Sequence, residues 1–202
     1  MENEAIAKYE RFVAHLDEQM QFTNECEIWR KLPISENRTP ALVATRMAMS
    51  LVRVPIHLLV DYVRTPSESD FTKFFEEALT HARREYIGGT GLKLLSTSFA
   101  MVPCIACEEA DIDTIMYVTK RQHLWKYHLK CFRHGFDYLP VLYLLDKKEV
   151  HYWKGIDIIG GAIHPLARKF VEQLLVPTAE RLVIQDWDQE QLNRNKNRNL
   201  DV

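Results

Sequence analysis

The chain has 202 residues, 47% hydrophobic and 27% charged, enough for one ordinary domain with a sizeable core and too apolar for a disordered chain. Its formal net charge of −2 removes any whole-chain electrostatic argument for nucleic-acid binding, so such an argument must rest on local patches. The N-terminal Met1-Glu2-Asn3-Glu4 is acidic and polar, so no secretory leader is expected; Arg46, Arg53 and His57 interrupt the richest apolar run, so no membrane span or membrane contact is expected either.

In chain order, residues 3 to 31 read as an amphipathic helix. Ile6, Tyr9, Val13, Leu16 and Met20 recur every three or four positions, and Cys26 and Trp29 extend the stripe up to Pro33. Thr39-Pro40 then has the form of a helix cap, and Leu42, Val43, Met47, Leu51 and Val54 predict a second helix, kinked at Pro55 and resuming to Val63. Phe71, Phe74, Phe75, Ala78, Leu79, Ala82 and Tyr86 predict a third helix after the capping cluster Thr65 to Ser69. Gly88-Gly89-Thr90-Gly91 marks a boundary.

The second half begins with a predicted strand from Leu92 to Val102. Val141 to Leu145 and Val150 to Trp153, joined by Asp146 to Glu149, predict a β-hairpin. His164-Pro165 opens a helix predicted to end at Pro177, and Leu182 to Ile184 a short strand. The fold class expected is α+β: an N-terminal bundle of about three helices (1–88), then a zinc-containing α/β half with a hairpin and a C-terminal helix (91–184). A polar, disordered tail (185–202), with Arg194, Lys196 and Arg198, completes the expected organisation.

The chemistry concentrates between Pro103 and Gly135. Cys104-Ile-Ala-Cys107 and Cys131-Phe-Arg-His134 give the spacing C-x2-C-x23-C-x2-H, using three of the chain's four cysteines. Two close pairs of soft ligands separated by a loop suit tetrahedral Zn2+, and three thiolates with one imidazole make a closed, structural site. His123 and His128 are spare candidates for the fourth ligand. The alternative reading is that the cysteines pack as small hydrophobes. Four cysteines, three of them in two close Cys/Cys and Cys/His pairs, and no expected leader point to a metal site in the cytoplasm rather than to a disulfide framework.

Between these pairs, Lys120, Arg121, Lys126, Lys130 and Arg133 form a basic run with no acid inside it, interleaved with Trp125, Tyr127 and Phe132. Cations with aromatics suit phosphates and exposed bases of DNA or RNA; a solvated helix face is the alternative. Cys104-x2-Cys107, the acidic Glu108, Glu109 and Asp111, Tyr117, Arg121-Gln122-His123-Leu124 and Cys131-x2-His134-Gly135 together resemble the zinc finger of the TniQ/TnsD transposition proteins. The resemblance covers about residues 103–135; Ile105 stands where that family usually has proline, and Leu124 where glutamine is usual. It implies a zinc-ordered DNA target-recognition or adaptor factor of a mobile element, with a protein partner such as an ATPase or another element component, and no catalysis by this chain.

Two other functions are compatible with the residues. Cys104 and Cys107 followed by Leu139-Pro140 and a hairpin has the order of a thioredoxin-like thiol redox protein, although Glu108 and Glu109 would raise the thiol pKa. A non-enzymatic interaction or inhibitor protein with a structural zinc is the third. No His-Glu-x-x-His, Gly-x-Ser-x-Gly or P-loop motif occurs, so an enzyme of those classes is not expected.

Overall fold

The computed structural model describes residues 2–21, 26–49, 53–86, 99–120, 136–155 and 163–198. In order these form α1 (Glu2–Gln21), β1 (Cys26–Arg30), β2 (Leu42–Met49), β3 (Arg53–Tyr62), α2 (Glu68–Tyr86), β4 (Phe99–Cys107), α3 (Ile112–Thr119), β5 (Phe136–Tyr138), β6 (Val141–Leu144), β7 (Glu149–His151) and α4 (Ile163–Arg198). The class is α+β, as the pattern predicts. The helical bundle predicted for residues 1–88 is not what forms: two of its three segments contribute strands, and a single mixed sheet takes strands from both halves of the chain.

The sheet order is β1-β2-β3-β4-β6-β7, with β5 also on β4. β1, β2 and β3 are an antiparallel meander; β3, β4 and β6 are parallel; β7 returns antiparallel to β6. The stripe from Leu42 to Val54 has helical spacing, yet Leu42 and Val43 pair with Val60 and Leu59. The determining feature is the run Ile56–Val60, buried throughout and rich in branched residues, which fits a strand better than one face of a helix. Pro55 precedes Ile56, where pairing with β4 begins, so it does not interrupt that ladder.

β4 is the centre of the molecule. All nine of its residues are buried, which a central parallel strand covered on both faces requires. It contains Pro103, a residue normally excluded from central strands. The position is tolerated where it falls: β4 pairs with β5 through Met101 and with β6 from Cys104, so Pro103 sits at the change of partner, beside Leu139-Pro140.

The register assigns the two faces. Val60, Cys104 and Val141 are aligned on one face, as are Tyr62, Ala106 and Tyr143. α1 covers this face: Phe12 stacks on Tyr143 with centroids 3.9 Å apart, Tyr9 lies 5.4 Å from Tyr62, and the Tyr9 hydroxyl donates to the Val60 carbonyl at 3.3 Å. His57, Met101 and Tyr138 are aligned on the other face, under α2, where Phe75 meets Tyr138 edge-on at 4.4 Å. α3 packs beside α2 through Tyr117 and Phe71, 5.6 Å apart. α4 lies along α1, with Arg11 paired to Asp186 at 2.5 Å and His15 bonded to Gln185 at 3.0 Å. Burying one large apolar side chain such as Phe12 or Phe74 contributes about 1.5–3 kcal/mol, so these two helix-on-sheet layers supply the main stabilisation.

Local signals explain the helix starts. Asp70 accepts from the Ser67 amide at 2.8 Å and the Ser67 hydroxyl at 2.6 Å, and its own amide donates to the Ser67 carbonyl at 3.1 Å, which ties down the first turn of α2. Asp111, one of the acids flanking the cysteine pair, is the N-cap of α3 and accepts from the Thr114 amide at 2.7 Å. α4 departs from expectation at its far end. It continues through Pro177 to Arg198, across the short strand predicted at 182–184 and most of the tail predicted to be disordered.

Candidate functional site

Three parallel strands end together at Tyr62, Cys107 and Leu144, and the carboxyl ends of such strands are where open sheets commonly place ligands. The residues gathered there are largely acidic. Glu108 accepts from the Tyr62 hydroxyl at 2.7 Å and pairs with Arg64 at 3.3 Å; Asp146 pairs with Lys8 at 2.9 Å. Cys107 closes β4 at this rim.

The two cysteines of the first pair are three residues apart on a regular strand. Side chains alternate along a strand, so Cys104 and Cys107 point to opposite faces of the sheet. Cys104 aligns with Val60 and Val141 under α1; Cys107 aligns with Leu144 on the α2 and α3 side. Both are buried, free thiols. Burial pushes the Cys104 thiol up, and the neighbouring Cys107 adds to it. Burial likewise pushes Cys107 up to about 12, with Glu108 and Glu109 adding to the effect. Zinc and thiol exchange both need thiolate, and a zinc knuckle needs two sulfurs aimed at one point. As a pair, Cys104 and Cys107 do not fit a shared tetrahedral ion.

Cys131 and His134, the second predicted pair, lie outside the described residues, as do the spare candidates His123 and His128. Among the described residues, no group of three or more His, Cys, Asp or Glu side chains is arranged to hold a metal ion. Of the basic run, Lys120 is described: it is exposed and ends α3, its amide bonded to the Met116 carbonyl. Arg121, Lys126, Lys130 and Arg133 lie outside the described residues.

A polar cluster that the sequence reading did not single out lies between the loop after β1, β3 and α2. The Arg38 guanidinium donates to Glu77 at 2.5 Å and to Asp61, and stacks 4.6 Å over the Phe74 ring. The Ser35 hydroxyl donates to Glu77 at 3.0 Å. Burial raises the Asp61 carboxyl above its ordinary value, opposed by Arg38 and by the Tyr62 amide. Arg38, Asp61 and Glu77 are 16 to 39 positions apart in sequence, so no local spacing announces them. Nearby on the same face, buried His57 shares a 2.8 Å hydrogen bond with Thr45, and burial, then the facing His81, pushes its pKa down to about 4. Every charge in the Arg38 cluster has a partner inside the fold, which suits a clamp between elements rather than a reactive centre.

Among the described residues, no helix is long and apolar enough to cross a membrane. No protein-family model matches this chain, and neither a curated protein nor a solved structure matches it.

Proposed function

We propose that this chain is a non-catalytic, nucleic-acid-associated adaptor whose contact surface is the basic run Lys120, Arg121, Lys126, Lys130 and Arg133. The observation that carries the reading is how the run is tethered. It leaves α3, whose Tyr117 and Val118 are buried against the core, at exposed Lys120, and rejoins the sheet at Phe136, which pairs with Phe99 of the central strand. Five cations in a segment held at both ends by the core of the molecule suit phosphate binding better than five on a free tail, because less chain entropy is lost on contact. The likeness of residues 103–135 to the TniQ/TnsD finger supports DNA as the nucleic acid, and an ATPase or another mobile-element component as the protein partner. A cytoplasmic setting belongs to the same reading.

Structural Zn2+ belongs to this proposal through the spacing of Cys131 and His134; because Cys104 and Cys107 diverge on β4, no more than one of them would face the ion, and His123 or His128 would complete the four ligands a closed site needs. The thiol redox alternative loses support for the same reason, and because both thiols are held protonated. The test is binding of labelled duplex and single-stranded DNA across a salt series. Lys126→Glu with Lys130→Glu is expected to weaken binding and flatten its salt dependence by about two phosphate contacts. Unchanged affinity and slope would refute the assignment. Zinc analysis of wild type and Cys131→Ser separates the metal from the binding: zinc lost in the variant supports the ion, and zinc-free protein that binds DNA leaves an adaptor without one.

A further inference from the structure

α4 changes character at Leu182. Up to that point it packs through Phe170, Val171, Leu174, Leu175 and Ala179. From Val183 to Leu192 every residue is exposed except Asp186 and Gln191, which are half-buried. The helix nevertheless continues to Arg198, about 24 Å beyond Leu182. A helical segment that buries so little is marginal in water by itself, so its position depends on the contacts that hold this end.

Among the described residues those contacts are polar, and they gather at Gln185 and Asp186. One carboxylate oxygen of Asp186 accepts from Arg11 of α1 at 2.5 Å, and the other pairs with Lys148, in the turn between β6 and β7, at 2.6 Å. The Gln185 side-chain oxygen accepts from Arg11 at 2.9 Å and lies 3.0 Å from His15 Nε2. Both cations stand on anchored elements: Phe12, next to Arg11, stacks on Tyr143 of β6, and Lys148 directly precedes β7. The fixed body thus supplies the cations, and the loosely packed helix end supplies the carboxylate. Burial raises the Asp186 carboxyl, but Lys148 and Arg11 more than reverse this. The side chains of Arg11 and Asp186 are 44% and 36% exposed, so salt screens their attraction. An ion pair in that setting biases an equilibrium by no more than about fivefold. Two such pairs and two hydrogen bonds hold the segment without fixing it.

We propose that residues 183–198 of α4 are an electrostatic strap, docked by Asp186 between Arg11 and Lys148 and released as a unit by salt, while residues 163–182 stay on the core. Release withdraws the carboxylate from between Arg11 and Lys148, so freeing the helix end also uncovers a pair of positive charges. Hydrogen exchange with mass spectrometry on the full chain, in low and in high salt, is the experiment, because a helical amide reports the open population of its own segment. In wild type at low salt the amides of 186–192 are expected to be protected. At high salt they should exchange about tenfold faster, with those of 167–182 unchanged. Asp186→Asn should bring the fast exchange to low salt and remove most of its salt dependence. Asp188→Asn, which removes an exposed carboxylate two positions on, should keep the wild-type pattern. Protection of 186–192 that ignores both salt and Asp186→Asn overturns the proposal, as does an Asp188→Asn variant that opens as far as Asp186→Asn. So does wild type that already exchanges like an unfolded chain there at low salt, or an equal loss of protection along all of α4, which would make the helix one unit.

Discussion

Cys104 shows how one position changes meaning between the sequence and the fold. Its spacing from Cys107 has the form of a metal knuckle, and its surroundings are those of a core residue: Val60 and Val141 on the flanking strands and α1 above. Cys104→Ala is therefore expected to cost about 1 kcal/mol, as the loss of a small buried group. Cys104→Ser should cost about 1–3 kcal/mol, because it buries a hydroxyl among apolar neighbours. Urea unfolding of both variants checks the order, and a serine variant as stable as the alanine one would argue against this environment. His57 makes a prediction about pH. Its folded pKa of about 4 lies below the ordinary 6.5, so between those values the unfolded chain takes up a proton that the folded chain refuses. Its contribution to stability is intact above pH 6.5 and falls as the pH drops towards 4, by on the order of 3 kcal/mol in all. In His57→Gln that part of the acid sensitivity should disappear from a pH series of thermal unfolding.

At the scale of elements, α4 carries the clearest expectation. Pro177 cannot donate to the carbonyl one turn earlier and crowds it, so it works against the helix that contains it. The neighbouring Thr178 hydroxyl donates to the Leu174 carbonyl at 2.7 Å, giving that carbonyl a side-chain partner at the disturbed turn. Pro177→Ala is expected to stabilise the chain by on the order of 1 kcal/mol and to raise its helical circular-dichroism signal. A lower melting temperature would mean that Pro177 itself is needed to seat Leu174, Leu175 and Ala179 on the core. β2 and β3 show why the N-terminal half departs from its local pattern. Their apolar residues coincide with helical spacing by chance, and the deciding information is the pairing of Leu42 with Val60 and of Ala44 with Leu58, which is not local.

The described elements close around β4, with helices on both faces of the sheet. Because Cys104 and Cys107 point to opposite faces of β4, chelation with EDTA is expected to leave the core's cooperative unfolding transition in place even where it removes a zinc held at Cys131 and His134. Loss of that transition on chelation would show that the fold of the core depends on a bound ion, and Cys104→Ala beside Cys131→Ser would show which thiols hold it. The Arg38 cluster acts at the same scale: it joins the loop after β1 to β3 and α2, so Arg38→Ala leaves Asp61 and Glu77 as partly buried carboxylates without their cation.

Some of this was decided by sequence alone. The α+β class, α2 after the capping cluster Thr65 to Ser69, the hairpin of β6 and β7 and the start of α4 follow from periodicity and capping, which act over a few residues. The basic run from Lys120 to Arg133 and the acids that follow Cys107 are equally plain, because charge is read directly. Tertiary structure decided the rest. That residues 42–49 and 53–62 are strands, that Cys104 and Cys107 face opposite sides of a buried strand, and that Arg38, Asp61 and Glu77 meet depend on partners far along the chain. Local propensity differs between helix and strand by tenths of a kcal/mol per residue, while burying a side chain in the sheet is worth several times that, so the distant partner wins.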